Sequence, residues 1–85
     1  MNKSALTPDE ILTELARIIE EITEIPAVEV TPDKHFINDL DIDSLCLVEV
    51  LAMSEAAFDI DVKDDEREKL NTVGDVITEI QKIQA

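Results

Sequence analysis

Residues 43–58, DSLCLVEVLAMSEAAF, are apolar except for the leading Asp43, two serines and two glutamates. Asp is a favourable helix N-cap, and neither Gly nor Pro interrupts the run from Ser44 to Phe58. The stretch therefore predicts an α-helix over 44–58. A helix with apolar residues nearly all round is normally buried, and a chain of 85 residues is too small to bury one completely.

The two glutamates indicate which side of this helix faces solvent. On a helical wheel, the arc assigned to the core contains Leu47, Val50, Leu51, Ser54 and Phe58. The opposite arc contains Leu45, Val48, Glu49, Ala52, Glu55 and Ala56. Exposed apolar side chains bordered by carboxylates are typical of a partner surface, although scattered exposed apolar residues are also ordinary.

The flanking segments also predict helices. Thr7-Pro8-Asp9-Glu10 has the order of a capping box with Pro at the first helical position, and Ile25-Pro26 ends the apolar stripe that follows it. Thr72 and Asp75 have capping-box order before a last apolar stripe. The chain is therefore predicted to be a single all-α domain over 1–85. We expect a four-helix bundle with three longer helices, a short third helix and a long first loop, its helices at 8–24, 44–58, 64–69 and 72–84.

The first loop, roughly 25–43, is long for so small a domain, and such loops are usually functional. It contains scattered apolar side chains that we expect to pin it across the core: Val28, Val30, Phe36, Ile37 and Leu40.

The net charge of −14, from 21 acidic and 7 basic residues, limits the possible partners. Phosphate backbones and anionic membranes both attract cations, so nucleic acid and membrane surfaces are not expected partners. The uncharged runs are too short to span a bilayer, and MNKSALTPDEI lacks the apolar core of a signal peptide. The lone Cys46 suits a reducing compartment, so we expect a cytoplasmic protein.

The charge is concentrated where the second helix lies. Neither Lys nor Arg occurs between His35 and Val62, whereas seven carboxylates do: Asp39, Asp41, Asp43, Glu49, Glu55, Asp59 and Asp61. This distribution favours steered association with basic partners.

Three kinds of chemistry are compatible with residues 39–46. Asp39, Asp41 and Asp43 alternate as in a calcium loop, but Ser and Val stand where that loop needs its Gly and its bidentate Glu. Cys46 near a helix N-terminus, with His35 as the only imidazole, is a weak candidate for a nucleophile. Ser44 at a helix start is a candidate modification site, because free N–H groups there favour a phosphate, although Ser is usually only a cap.

The run DLDIDSLCLVEV at 39–50 resembles the prosthetic-group site of acyl carrier proteins, whose Asp-Ser-Leu motif corresponds to Asp43-Ser44-Leu45. The resemblance covers nearly the whole chain. It includes the first helix at 11–25, the loop PDKHF at 32–36 and the TVGD turn at 72–75. The DLDIDSL variant, with Asp41 where many members have Gly, is most similar to actinobacterial fatty-acid-type carriers.

This resemblance implies that Ser44 carries 4′-phosphopantetheine, added from coenzyme A by a phosphopantetheinyl transferase. It implies a carrier that catalyses nothing and presents acyl thioesters to fatty acid synthesis enzymes with basic docking patches. We also expect a monomer and no metal site. The implied docking residues are Leu45, Val48, Glu49, Ala52 and Glu55. The implied acyl pocket is lined by Leu47, Val50, Leu51, Phe58, Val62, Leu70 and Ile77.

The sequence departs from the family pattern at three positions. Ala56 and Ala57 stand where members often have Glu, and Lys63 stands where they often have Pro before the third helix. Carriers for polyketide, peptide or D-alanine chemistry are the alternative within the family. An acidic adaptor or a calcium-binding protein without an arm is the alternative outside it.

Overall fold

The computed structural model describes residues 6–84 and confirms the all-α prediction for that part of the chain. Its helices are α1 (Pro8–Thr23), α2 (Ser44–Phe58), α3 (Asp64–Arg67) and α4 (Val73–Gln84), with a short 3-10 turn at Ala27–Glu29. The bounds of α2 are those predicted, and α1 and α4 each differ by one residue at one end. Helix α3 is shorter than the predicted 64–69, because Lys69 and Leu70 close tighter turns by donating to the carbonyls three residues back.

Helix α1 begins and ends where its sequence dictates. The Thr7 hydroxyl accepts from the Glu10 N–H at 3.2 Å, and the Glu10 carboxylate accepts from the Thr7 N–H at 2.9 Å, which completes the predicted capping box. Beyond its end, Glu24 adopts a left-handed conformation and donates its N–H to the Glu20 carbonyl at 2.8 Å. The face toward α2 and α4 is buried through Ile11, Leu15, Ile18 and Ile19.

Three of the five predicted loop anchors enter the core, and two do not. Val30, Phe36 and Leu40 are buried, whereas Val28 is 87% exposed and Ile37 is 49% exposed. The prediction for Val28 and Ile37 was therefore wrong. Residues 36–40 form successive turns, and Phe36 and Leu40 take the inward side, so their neighbour Ile37 points outward.

The first loop is joined to the start of α4 by backbone hydrogen bonds. The Phe36 N–H donates to the Asn71 carbonyl at 3.0 Å, and the Val73 N–H donates to the Lys34 carbonyl at 3.0 Å. The Gly74 N–H donates to the Pro32 carbonyl at 2.9 Å. A Cβ at Gly74 would lie 3.0 Å from that same oxygen, so the close approach of the two backbones favours glycine over any residue with a side chain.

The loop then turns sharply into α2. Asp41 adopts a left-handed conformation with φ 57°, and Ile42 donates its N–H to the Phe36 carbonyl at 2.9 Å while its side chain is buried. This turn brings Asp43 to the N-cap of α2, and its left-handed residue is one at which Gly would be unstrained.

The departure at Lys63 leaves the entry to α3 undisturbed. Lys63 is the N-cap of α3 with φ −69°, the value that Pro itself would impose. In the link before it, Val62 is buried while Asp59 and Asp61 are exposed.

The left-handed turn at Asp41 should tolerate Gly and reject a β-branched side chain. We expect Asp41→Val to lower the free energy of unfolding by about 1–2 kcal/mol. Asp41→Gly should change it by less than about 0.5 kcal/mol, because relief of the conformation offsets the greater freedom of Gly in the unfolded chain. Urea denaturation followed by circular dichroism measures both, with Asp61→Val as a control outside the turn. Equal losses for the Val and Gly variants at position 41 would contradict this account of the turn.

Candidate functional site

The site is built on the first turn of α2. Asp43 has extended backbone angles, and its carboxylate accepts from the Cys46 N–H at 2.8 Å. The Asp43 carbonyl accepts from the Leu47 N–H at 2.9 Å, which closes the first helical turn. Ser44 is thereby fixed as the first residue of α2, with its side chain exposed.

The backbone around Ser44 suits a phosphate ester on its hydroxyl. Within the described chain, the Asp43 carboxylate accepts a hydrogen bond only from the Cys46 N–H. The N–H groups of Ser44 and Leu45 have no acceptor among residues 6–84. Unpaired N–H groups and the positive end of the helix dipole both stabilise an anion at this position. The residues present therefore fit a phosphopantetheine group attached at Ser44.

One face of α2 is open to solvent beside this turn. Leu45 is 82% exposed and Val48 is 56% exposed, with Glu49 and Ala52 exposed next to them. We call these four residues the docking strip. On the opposite side, Val50, Leu51, Ser54 and Phe58 are buried, and Leu47 is half-buried.

Glu55 is not the freely exposed carboxylate that the helical wheel placed beside this strip. Its side chain is 16% exposed, and one carboxylate oxygen lies 2.7 Å from an Arg67 guanidinium nitrogen. Its other oxygen accepts from the Val62 N–H at 2.7 Å. Glu55 is thus occupied in internal contacts. Ala56 and Ala57 are both exposed, so the far end of α2 presents methyl groups instead of carboxylates.

The geometry disfavours a cysteine nucleophile. Burial raises the pKa of the Cys46 thiol, and the nearby carboxylates of Asp43 and Glu49 raise it further. The imidazole Nδ1 of His35 accepts from the Ile37 and Asn38 N–H groups, both at 3.3 Å, so His35 serves to cap its own turn.

The calcium-loop alternative has no geometric support in the described part of the chain. The Asp39 carboxylate accepts from the His35 N–H at 2.7 Å, and that of Asp43 caps α2. Across residues 6–84, no three His, Cys, Asp or Glu side chains come together in a way that could hold a metal ion.

A cavity lies between α2, α4 and the segments that precede and follow α3. Its volume is about 10 Å³, and its lining residues are Leu51, Ser54, Glu55, Ile60, Val62, Leu70, Val76, Glu79 and Ile80. Of the predicted pocket residues, Leu51, Val62 and Leu70 line it, whereas Leu47, Val50, Phe58 and Ile77 do not. The sequence prediction missed the contribution of α4 through Val76, Glu79 and Ile80, because the rotation of that helix about its axis depends on tertiary packing. Entry of an acyl chain here remains a prediction.

Comparison with known proteins decides the family. The sequence profile described as the phosphopantetheine attachment site matches residues 13–80. The acyl carrier protein of Thermobifida fusca is 50% identical over 78 residues, covering 92% of this chain and 99% of that protein. The meromycolate extension acyl carrier protein of Mycobacterium leprae is 46% identical over 80 residues, covering 94% of this chain and 70% of that protein. The chain belongs to the acyl carrier protein family.

The fold supports the same assignment. A solved structure of the acyl carrier protein from Enterococcus faecalis superposes with a TM-score of 0.75 at 31% identity, covering 92% of this chain and 99% of that one. As a member of this family, the chain is an acyl carrier for fatty acid synthesis, and its prosthetic group is 4′-phosphopantetheine. The resemblance to actinobacterial carriers is confirmed by the Thermobifida relative and by one from Rhodococcus erythropolis, which is 47% identical over 81 residues. Within residues 6–84, no helix is long and apolar enough to cross a membrane.

Proposed function

We propose that Ser44 is the attachment point of the arm and that the chain is a single carrier domain without catalytic activity of its own. The observation that carries the proposal is the exposed Ser44 at the start of α2, beside unpaired backbone N–H groups. A phosphopantetheinyl transferase would join the Ser44 oxygen to the phosphorus of the pantetheine phosphate. In that step the bond to the adenosine bisphosphate portion of coenzyme A breaks, and the hydroxyl proton passes to the transferase.

The docking strip supports recognition by enzymes with basic patches. It combines two exposed aliphatic side chains with the exposed carboxylate of Glu49, and exposed Asp39, Asp41 and Asp43 precede it. With neither Lys nor Arg between His35 and Val62, this region attracts basic surfaces and repels acidic ones. Such contacts favour fast, weak association, which suits a carrier that visits several enzymes.

The remaining parts of the proposal concern the oligomeric state of the protein and its cellular compartment. We propose that it acts as a monomer in the cytoplasm. The lone, half-buried Cys46 supports a reducing compartment. A small docking strip that must stay open to successive enzymes supports the monomer.

Loading of the arm tests the role of Ser44. Apo protein is incubated with coenzyme A and a phosphopantetheinyl transferase, and the intact mass is measured. We expect the wild type to gain one phosphopantetheine group and Ser44→Ala to gain none, because the hydroxyl oxygen is the acceptor. Ser54→Ala, which removes a buried hydroxyl from the same helix, is the matched control and should load fully. A wild type that gains no mass, or a Ser44→Ala variant that loads, would refute the assignment.

The steady-state kinetics of the same transferase test whether the docking strip contributes to recognition. We expect Glu49→Gln to raise the KM for the carrier by about twofold to fivefold at low salt with kcat unchanged, the effect of losing one exposed charge pair. Glu20→Gln, an exposed carboxylate on α1, should leave KM unchanged. The difference should shrink at high salt because exposed charges are screened. Equal effects of the two substitutions would argue against a docking role for α2.

A further inference from the structure

A surface groove runs between α1 and the 3-10 turn, and it shares no residue with the docking strip or with the cavity beside α3. Its volume is about 300 Å³. Five of its six lining side chains are aliphatic and the sixth is a threonine: Leu12, Thr13, Ala16, Ala27, Val28 and Val30. We call these six residues the α1 groove.

Val28 stands at the edge of this groove without a structural reason to be apolar. It is 87% exposed, the highest value among the large hydrophobic side chains of residues 6–84. The 3-10 turn is closed by its backbone alone: the Glu29 N–H donates to the Pro26 carbonyl at 2.9 Å, and the Val30 N–H donates to the Ala27 carbonyl at 3.1 Å. The side chain of Val28 is therefore open to contacts outside the chain.

The apolar surface continues from Val28 into the groove. Leu12 and Ala27 are half-buried and pack against the core, and Ala16 and Val30 are buried at the floor. A single exposed apolar residue is ordinary, whereas a contiguous apolar surface with a charged border is typical of an interaction site. The α1 groove is a surface of the second kind.

Carboxylates border the groove on the α1 side. Thr13 is shared with a shallow depression that Asp9, Glu10 and Glu14 also line. Glu10 belongs to the capping box and Glu14 pairs with Arg17, whereas Asp9 is exposed and has no ion-pair partner among residues 6–84. This wall of the groove therefore has a carboxylate available to a partner.

The wall formed by the 3-10 turn is bordered by carboxylates as well. Val28 is shared with a second depression, whose charged lining residues are Glu29, Lys34 and Asp39. Two carboxylates there outnumber one ammonium group. Glu29 is exposed and forms no ion pair within the described chain. An occupant of the groove thus meets negative charge on both sides of an apolar centre.

This charge pattern fits an occupant with aliphatic side chains flanked by Lys or Arg. The aliphatic side chains gain burial in the groove, and the cations approach the carboxylates on either side. The same carboxylates oppose an anionic membrane, and the net charge of −14 opposes a second copy of this chain.

The backbone of the groove indicates the conformation of the occupant. An extended peptide would need an open strand edge to pair with, and residues 6–84 form no strand. A helix satisfies its own backbone and presents aliphatic side chains at helical spacing to a groove lined by side chains.

We propose that the α1 groove is a second docking surface, which binds a basic amphipathic helix of a partner protein. The surface goes beyond the carrier role and does not depend on an arm at Ser44. Through it, a partner recognises this chain without using the residues of the docking strip.

A pair of synthetic peptides tests the chemistry of the surface. The probe is a short helical peptide with Leu on one face and Lys on the other, and its counterpart has Glu in place of every Lys. The full chain, labelled with ¹⁵N, is titrated with each peptide, and the amide chemical shifts are followed by NMR. We expect the Lys peptide to shift the amides of residues 12–16 and 27–30 and the Glu peptide to leave them unchanged. Shifts at residues 45–52 report on the docking strip and are analysed separately.

Two matched variants assign the binding to the groove. Val28→Asn and Val48→Asn each replace an exposed valine with a polar side chain, and circular dichroism verifies that both fold. We expect Val28→Asn to weaken binding of the Lys peptide at the groove by about threefold to tenfold, the effect of losing partial burial of one valine. Val48→Asn should leave that affinity unchanged. Val28→Asn should also leave the transferase KM unchanged, because Val28 lies outside the docking strip.

Photo-cross-linking tests the surface in cells that make the protein. Position 28 of the full chain is replaced by p-benzoylphenylalanine, the cells are irradiated, and the cross-linked peptides are sequenced by mass spectrometry. We expect a partner segment that has aliphatic residues at helical spacing with Lys or Arg beside them.

The outcomes separate this inference from the proposed function. Groove amides that do not respond to the Lys peptide, equal binding of the Lys and Glu peptides, or equal effects of Val28→Asn and Val48→Asn at the groove would overturn it. Cross-links from position 28 that reach only another copy of this chain or an acidic segment, or no cross-link at all, would overturn it as well. Failure of Ser44 to load would refute the proposed attachment site and leave the result at the groove intact.

Discussion

The backbone contact between the first loop and the start of α4 is the constraint on which the site depends. The loop that links α1 to α2 has almost no regular structure, so some contact must fix where it ends. Three hydrogen bonds join Pro32, Lys34 and Phe36 to the residues that begin α4. They anchor the turn that brings Asp43 to the N-cap of α2 and leaves Ser44 at the surface. Gly74 is part of this constraint, since a side chain there would press on the Pro32 carbonyl.

Four of the seven basic residues of the chain form ion pairs with carboxylates outside the docking strip. Arg17 pairs with carboxylates on α1, and Arg67, Lys69 and Lys82 pair with carboxylates around α3. The strip formed by Leu45, Val48, Glu49 and Ala52 lies in a stretch of sequence, from His35 to Val62, that has neither Lys nor Arg. The charge of −14 is therefore unevenly distributed, with ion pairs on α1 and around α3 and, among the described residues, carboxylates near Ser44 that have no ion-pair partner.

Sequence signals from neighbouring residues correctly predicted the features that depend only on those residues, such as helix bounds and the exposed face of a helix. The Asp43 N-cap and the uninterrupted run to Phe58 gave the bounds of α2, and the helical wheel separated Leu45 and Val48 from the buried face. Such signals do not predict contacts between residues that are far apart in the sequence. Glu55 was expected at the surface because its partner Arg67 is twelve positions away and nothing local links them. The rotation of α4 about its axis likewise depends on distant contacts, and it places Glu79, and not Ile77, at the cavity.

The most direct test of the account is the chemical state of Ser44 in protein isolated from cells that make it. Proteolysis followed by tandem mass spectrometry locates any group on the peptide that contains Ser44. The account predicts 4′-phosphopantetheine on the Ser44 oxygen, present as the free thiol or as acyl thioesters. Unmodified Ser44 throughout the population, or the group found on another residue, would contradict it.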